Sequence, residues 1–356
     1  MIHRLFREER ESYVLGLLRV GFAALLLLMT LRRARELLLW GYFGDVFHMP
    51  LWPEYLVPSR DGYAALLGFQ ALGCLLALGG VLARPALFGA AGCGLFCLLC
   101  DRLQYHNNRY ELLLLSLLVA VTPCDRSFLA FRRPRLGAAP RWAATAVGAQ
   151  VSIVYLASGL GKLLDPDWRG GAVLLLRFAL ARPFVDRFLP ASTMSLLSAP
   201  WFAQVAAIGA ISCELFLALG MWFRRTRPLA LWLGVMFHLG IELSAHVELF
   251  SYCMLCGYLV FVTPELRERR LSWDTSRPLG RALATACRRL DLLARFRHES
   301  ASEPSRALLV TWDRQERAHH GLGAWRELAR ALPPLFPLWL PLVVASWRLR
   351  PTPPTD

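Results

Sequence analysis

Long apolar runs recur along this chain and constrain its fold more than any other feature. Hydrophobic residues make up 56% of its 356 positions. Several runs reach the about 17 to 25 residues that a helix needs to cross the hydrocarbon core of a bilayer. Small and polar residues interrupt every run, as they do where membrane helices pack on one another. The sequence therefore predicts an all-α fold, a polytopic transmembrane helical bundle.

The apolar runs predict about eight spans, with polar or broken connections between them. The spans lie near residues 13–31, 63–82, 86–104, 110–123, 143–164, 201–223, 228–246 and 248–264. The segment 37–56 contains Pro50, Pro53 and several aromatic residues. Aromatic residues favour the membrane interface, so we expect a loop with a short surface helix there.

The distribution of arginine predicts how the bundle is oriented. Arginines cluster in residues 126–141, in residues 224–227 and throughout the tail after residue 264. Because positive loops stay in the cytoplasm, both termini of this multi-pass membrane protein are predicted to be cytoplasmic. The arginines of residues 32–35 oppose this orientation, and we interpret them as an interfacial exception. The net charge of +14 then reflects topology and contacts with membrane lipids, and no nucleic acid is expected as a partner.

One lysine stands among 39 arginines. Lys162 lies at the end of the fifth predicted span, where an ionisable side chain is costly and marks a functional site by default. Lysine, unlike arginine, can lose its proton when it is buried, and the neutral amine is a base. The alternative is that Lys162 extends to the membrane surface and pairs with Asp165 or Asp167.

Three sets of polar residues are predicted to meet on the outer side of the bundle. Two sets share a helix face by their spacing, and the third lies in the connection between the third and fourth spans. The sets are Tyr155, Ser158 and Lys162; His238, Glu242 and His246; and His106, Asn107, Asn108 and Tyr110. This convergence predicts a polar pocket that opens outward between helices.

Glu214 lies in the middle of the sixth predicted span. A carboxylate at that depth needs a partner or a proton, so its side chain should face the bundle interior. The spacing of His238, Glu242 and His246 is geometrically compatible with a metal site. It lacks a further ligand pattern such as Glu-x-x-His, so no metal is predicted, and packing inside the bundle is the alternative for both histidines.

Four motifs occur in order along the predicted spans. They are Arg19-Val-Gly-Phe22; Asn107-Asn108-Arg109-Tyr110; Gly159-Leu-Gly-Lys162 followed by Asp167-Trp168; and the run from Glu214-Leu-Phe-Leu-Ala-Leu-Gly through Arg227-Pro228 and Phe237-His238 to Glu248-Leu-Phe250-Ser251-Tyr252-Cys-Met254-Leu255. Together they resemble the vitamin K-dependent gamma-carboxylase family and its bacterial relatives, the HTTM (horizontally transferred transmembrane) proteins. The resemblance covers roughly residues 10–264.

The resemblance implies a membrane enzyme of the carbon–carbon lyase class. In these carboxylases a neutral lysine deprotonates reduced vitamin K, which reacts with O2 to give a strong base and then the epoxide. That base removes a gamma proton from a peptidyl glutamate, which CO2 then carboxylates. The implied cofactor is reduced vitamin K or menaquinol, CO2 and O2 are co-substrates, and a peptide or protein on the outer face is the implied substrate.

The same resemblance assigns roles to particular residues. Lys162 would be the base, and His106 or His238 would orient the quinol oxygens or stabilise developing charge. Apolar helix walls would hold the isoprenoid tail. The surrounding quinone and substrate pocket would comprise Asn107, Asn108, Tyr110, Tyr155, Ser158, Trp168, Glu214, Glu242, His246 and Tyr252.

The chain is predicted to have four parts. They are a cytoplasmic N-terminus (1–12), the transmembrane domain (13–264), a basic amphipathic interfacial segment (265–300) and a small cytoplasmic or interfacial tail (301–356). Within the last two parts, residues 275–297 predict a basic helix that lies on anionic lipid. Residues 307–312 predict a strand and residues 321–332 a helix.

The strand and helix of the tail resemble the end of the DCC thiol-disulfide oxidoreductases that are often found beside HTTM segments. No Cys-x-x-Cys remains in the tail, so we interpret it as the remnant of such a module. A separate DCC-type oxidoreductase is therefore a candidate partner.

Two alternative functions follow from other features. Cys97-Leu-Leu-Cys100 and Cys253-Met-Leu-Cys256 lie within predicted spans, and paired thiols facing a quinone would serve a membrane thiol/quinone oxidoreductase. Free cysteines also pack simply as small apolar residues. The second alternative is a non-catalytic scaffold that keeps a lipid or quinone pocket without chemistry.

Overall fold

Helices account for 75% of the structure, a computed structural model, which confirms the predicted all-α class. The structure describes residues 9–39, 49–130, 138–185, 190–244, 247, 249–262, 269–291, 295–300, 308–313 and 317–347. The chain separates into two compact units, Met1–Val262 and Thr263–Asp356. The first unit contains every predicted span except the last two residues of the eighth.

The N-terminal unit consists of helices joined by mostly short connections. In chain order they are α1 (Tyr13–Leu39), α2 (Arg60–Gly79), α3 (Ala83–Leu99), α4 (Asn107–Ala120), α5 (Arg141–Leu164), α6 (Pro166–Arg169), α7 (Ala172–Val185), α8 (Ala191–Leu197), α9 (Pro200–Gly220), α10 (Arg227–Ser244) and α11 (Phe250–Gly257). A 3-10 helix, Tyr258–Phe261, continues α11. Two short strands, β1 (Glu9–Glu11) and β2 (Ala138–Pro140), pair antiparallel immediately before α1 and α5.

Within the described ranges, four helices are long and apolar enough to cross a membrane. They are Tyr13–Leu37, Arg60–Gly79, Arg141–Leu164 and Pro200–Gly220, and they correspond to the first, second, fifth and sixth predicted spans. The other four predicted spans form α3, α4, α10 and α11, which have 17, 14, 18 and 8 residues. The helices α4 and α11 are shorter than the about 17 to 25 residues that cross a bilayer core, and α3 and α10 lie at the lower end of that range. Of the predicted interfacial segment 37–56, residues 40–48 lie outside the described residues, and Glu54–Leu56 form a 3-10 helix.

Helix α1 packs against α2, α4 and α11. Leu18, Phe22 and Leu26 on α1 are fully buried, as expected for an apolar face at helical spacing. Arg19 is also fully buried, and its guanidinium donates to two carbonyls of the connection that follows α4. Its Nη1 lies 2.9 Å from Cys124 O and its Nη2 lies 2.6 Å from Phe128 O. Arg19 thus holds the end of α4 against α1.

Three helices, α6, α7 and α8, fill the connection between α5 and α9, where the sequence predicted no element. Pro166 begins α6 at a position that needs no amide donor, and the Asp165 carboxylate accepts the Asp167 N–H at 2.9 Å. Phe178, Met194 and Leu197 form an apolar cluster with Phe202 of α9. The connection is therefore packed structure, and it covers the end of α5.

The C-terminal unit contains a four-stranded mixed sheet of order β4-β3-β5-β6. Its elements are β3 (Arg269–Trp273), α12 (Pro278–Leu290), β4 (Phe296–Ser300), β5 (Leu309–Trp312), β6 (Ala318–His319), α13 (Gly321–Ala331) and α14 (Trp339–Trp347). Strands β3 and β4 are parallel and joined through α12, as in a βαβ unit. Strands β5 and β6 add antiparallel pairs beside β3.

The predicted strand and both predicted helices of the tail are confirmed as β5, α12 and α13, with shorter bounds. Ala284 and Cys287 of α12 belong to the same buried cluster as Leu271 and Trp273 of β3. The apolar side of α12 is thus used inside the unit, and Arg281 is among the side chains it leaves exposed. The location of this segment on anionic lipid stays a prediction.

We expect Arg19→Leu to weaken the N-terminal unit, because the substitution removes both donors from buried carbonyl partners. The free energy of unfolding should fall by about 2 to 4 kcal/mol. Unfolding in detergent micelles measures the effect. Arg32→Leu is the matched control, since Arg32 is exposed on the same helix. Equal stability of the two variants would contradict the role given to Arg19.

Candidate functional site

Helix α5 brings Tyr155, Ser158 and Lys162 to one side of the bundle. Their spacing of three and four residues places them on one helix face. Helix α9 packs along α5, and its Glu214 lies opposite that face. Gly159 permits this close approach, because an added Cβ there would lie 2.9 Å from Leu215 Cδ2 and 3.4 Å from Glu214 Cβ.

Lys162 forms an ion pair with Glu214 across this helix contact. Lys162 Nζ donates a short hydrogen bond to Glu214 Oε1 and a second one, of 2.8 Å, to Ser158 Oγ. Ser158 Oγ itself donates to Glu214 Oε1 at 3.2 Å. The side chains of Lys162 and Glu214 are only 18% and 4% exposed. The amine is therefore held by a carboxylate in the bundle interior.

Trp168 covers the other side of the Lys162 amine. Lys162 Nζ lies 4.8 Å from the centre of the indole ring, within the range of a cation–π interaction. Trp168 is the third residue of α6, so the helix that the sequence did not predict positions it. Asp165, proposed as a surface partner of Lys162, instead caps α6. The ion pair of Lys162 is with Glu214.

A second polar cluster lies beside the first. Tyr155 Oη lies 2.6 Å from His238 Nε2 of α10 and makes a short hydrogen bond with Tyr258 Oη. His238 is 0% exposed, and both tyrosines are buried. Tyr155 shares its face of α5 with Ser158 and Lys162, so the same helix face contributes to both clusters. The two clusters therefore form one buried polar site between α5, α9, α10 and α11.

Three buried atoms of this region have no hydrogen-bond partner among the described residues. They are Glu214 Oε2, His238 Nδ1 and Glu242 Oε1. Glu242 follows His238 by one turn of α10 and shares its face. Buried polar groups are normally paired, so unpaired atoms that cluster in this way are a sign of a binding site. The carboxylate oxygens would accept from a bound hydroxyl, and the imidazole nitrogen would pair with a bound oxygen.

The predicted site residues His106, Asn107 and Tyr110 lie just before and within the first turn of α4, and all three are exposed. His106 is exposed and caps α4, where its Nδ1 accepts the Asn108 N–H at 3.3 Å. Asn107 is exposed, and the Tyr110 ring lies 6.1 Å from that of Tyr105. Within the described part of the chain, no hydrogen bond or ion pair joins His106 to Lys162 or Glu214. The structure thus brings His238, and not His106, to the Lys162 cluster.

The remaining predicted positions are placed as follows. Tyr252 is half exposed on α11, and His246 lies outside the described residues. Among the residues that are described, no group of three or more His, Cys, Asp or Glu side chains is arranged to hold a metal ion. Cys97, Cys100 and Cys253 are buried as free thiols, and Cys256 is partly buried.

Sequence reasoning missed Tyr258 and Gly159 as site residues. Tyr258 follows an apolar run, and its hydroxyl needs a partner when the ring is buried. The need for a hydrogen-bond partner was the signal in the sequence, but it does not identify the group that the hydroxyl bonds. Gly159 precedes Lys162 by three residues, and a small residue at a helix contact signals close packing between membrane helices.

Comparison with known proteins gives one family. The family model of the HTTM domain matches residues 7–266 of the chain. The matched segment contains every residue of the buried polar site from Tyr155 to Tyr258. No solved structure matches the chain.

The variants Lys162→Met and Glu214→Gln test whether the two side chains form an ionic pair. Each single substitution leaves one buried charge without its counter-ion, so each should lower the free energy of unfolding. The double variant should lose less than the sum, with a coupling of about 1 to 3 kcal/mol. Denaturation in detergent measures all four proteins. A parallel cycle of Lys162→Met with Asp165→Asn should be additive, and additivity in the Glu214 cycle would contradict the pairing.

Proposed function

The chain belongs to the HTTM domain family of vitamin K-dependent carboxylase-like membrane proteins, and on that premise we propose that Lys162 is the base of a quinol oxygenation coupled to carboxylation. The observation that carries the proposal is the Lys162–Glu214 pair, which keeps the only lysine of the chain largely away from water. Lysine suits this task because its amine exists in a neutral form, whereas an arginine stays charged.

The pair can supply a neutral amine without releasing a proton to water. One hydrogen of Lys162 Nζ is donated to Glu214 Oε1 and can move between the two groups. Movement of that proton to Glu214 converts two opposite charges into a neutral amine and a neutral carboxylic acid. A low-dielectric interior favours the neutral arrangement more than water does, because isolated charges are costly there. Ser158 remains in contact with both groups and keeps them aligned.

The residues present fit a quinol headgroup. Such a headgroup carries two ring hydroxyls, and the site has an unpaired carboxylate oxygen, Glu214 Oε2, and an unpaired imidazole nitrogen, His238 Nδ1. When bound, reduced vitamin K or menaquinol would supply the reducing equivalents that activate O2, so that a glutamate or other carbon acid loses a proton and CO2 carboxylates it. The protein would bind the headgroup, take a hydroxyl proton at Lys162 Nζ and hold the resulting negative charge near His238.

The proposal also covers the substrate and the orientation of the chain. The substrate would be a peptide or protein that reaches the outer face of a bacterial inner membrane, with both termini of the chain in the cytoplasm. The buried free thiols fit simple packing and also a redox relay. A thiol/quinone oxidoreductase and a non-catalytic scaffold are therefore the rival functions. One assay separates the three.

The assay uses the full chain reconstituted in liposomes with menaquinol, O2 and bicarbonate, and it measures epoxide and carboxylated product by mass spectrometry. Lys162→Arg keeps the positive charge but removes the neutral amine, so turnover should fall by about 10²-fold or more. Asp167→Asn is the control, because its carboxylate lies near Lys162 in sequence but is exposed.

Two results would contradict the proposal. One is the absence of epoxide and carboxylated product with the native chain, and the other is equal turnover of the native and Lys162→Arg proteins. Quinol oxidation without carboxylation that stops when Cys97, Cys100, Cys253 and Cys256 are all replaced by serine would instead establish the thiol/quinone oxidoreductase.

A further inference from the structure

Tyr258 places its hydroxyl in a space that only glycine leaves open. Gly234 of α10 lies one turn before His238, and an added Cβ at Gly234 would overlap the Tyr258 hydroxyl and ring. The hydroxyl bonds to Tyr155 Oη and to no other group in the described part of the chain. The backbone of α10 and the hydroxyl of Tyr155 thus confine the Tyr258 side chain from two sides.

Hydrogen bonds can run through the Tyr155–His238–Tyr258 cluster in two directions. In the first, Tyr258 donates to Tyr155 and Tyr155 donates to His238 Nε2, which puts the imidazole hydrogen on Nδ1. In the second, His238 Nε2 donates to Tyr155 and Tyr155 donates to Tyr258. The second direction leaves the buried Tyr258 hydrogen without an acceptor among the described residues, which costs about 1 to 3 kcal/mol. A third arrangement, in which His238 Nε2 and Tyr258 both donate to Tyr155, leaves the buried Tyr155 hydrogen without an acceptor among the described residues.

The first direction places the unpaired hydrogen where a ligand can accept it. His238 Nδ1 is buried and has no partner among the described residues, and the ring is held by Tyr155, which lies on the same face of α5 as Lys162. A bound oxygen at the site would pair with the Nδ1 hydrogen, whereas the Tyr258 hydroxyl lies against the backbone of α10 at Gly234. Hydrogen bonding to one imidazole nitrogen sets the tautomer that the other presents.

We propose that Tyr258 is a positioning residue that, through Tyr155, fixes His238 as an Nδ1–H donor toward the ligand oxygen beside Lys162. This inference rests on the proposed function for the identity of that oxygen. When Lys162 Nζ takes the hydroxyl proton of the ligand, the electron pair of the broken O–H bond stays on the oxygen. The His238 Nδ1–H group then donates a hydrogen bond to that oxyanion and keeps its own proton. Donors fixed before the reaction stabilise such charge effectively, because they need no reorganisation.

Each member of the cluster has a different task. His238 contacts the reacting oxygen, and Tyr155 links His238 to Tyr258 by hydrogen bonds. Tyr258 sets the direction of those hydrogen bonds without contacting the ligand. Gly234 is required only to make room, so its replacement should act like the loss of the Tyr258 hydroxyl. A purely structural Tyr258 would predict lower stability without any change in the imidazole.

The first experiment measures the His238 tautomer by 15N NMR of histidine-labelled protein in lipid nanodiscs, with decylubiquinol bound. His238→Asn identifies the signals that belong to His238. In the native chain His238 should be protonated at Nδ1 and not at Nε2. In Tyr258→Phe and in Gly234→Ala the Nε2-protonated form should appear.

Two variants serve as matched controls for these substitutions. Tyr63→Phe removes the hydroxyl of another buried tyrosine, which lies on α2 and packs with Leu67 of the same helix and Cys97 of α3. Gly240→Ala adds a Cβ on the same helix as Gly234, at a position where it meets no atom within 4 Å. Both controls should leave the His238 signals unchanged. An Nε2-protonated His238 in the native chain, or identical His238 signals in the native and Tyr258→Phe proteins, would overturn the inference.

Turnover separates this inference from the proposed function. Tyr258→Phe should lower kcat by about 10- to 100-fold with little change in KM, as expected for a partner that orients a catalytic group. A tautomer change together with no product from the native chain would reject the proposed function and support the positioning role. Product from the native chain together with an unchanged tautomer would support the proposed function and reject the positioning role.

Discussion

The buried ion pair between Lys162 and Glu214 is the interaction on which the rest of the site depends. A single charge in the interior of a helical bundle is costly, and two opposite charges are tolerated only when they are in contact and further hydrogen bonds satisfy them. Ser158 and Trp168 provide those further contacts. The helix contact must also be close, and Gly159 makes it so. The polar site is thus a consequence of how α5 and α9 pack.

The second cluster is subject to the same constraint, that buried polar groups need partners, although its members are neutral. Tyr155, His238 and Tyr258 are buried without a counter-charge of their own, so hydrogen bonds among them replace water. Glu214 Oε2 and His238 Nδ1 have no partner among the described residues. These two atoms are the ones that our proposal assigns to a bound ligand.

The sequence predicted the fold class and drew attention to Lys162 and Glu214 because those signals are local. Apolar run length predicted helices, and unusual positions identified Lys162 and Glu214 separately. Their contact could not be predicted, because spacing along the chain does not say which faces of α5 and α9 meet. Tyr258 and Gly234 were missed because both lie in apolar runs, and only the structure shows that Gly234 makes room for the Tyr258 hydroxyl. The helices between α5 and α9 were missed because Pro and Gly interrupt that segment. Strand β3 was missed because its arginines hide the alternation of apolar residues.

The most direct test of this account uses the fact that the chain has one lysine. Protein labelled with 15N-lysine and 13C-carboxyl glutamate and aspartate, studied by solid-state NMR in lipid bilayers, gives one side-chain amine signal. The account predicts a strong dipolar coupling from Lys162 Nζ to one glutamate carboxyl, absent in Glu214→Ala. Coupling to an aspartate carboxyl, or to none, would contradict it.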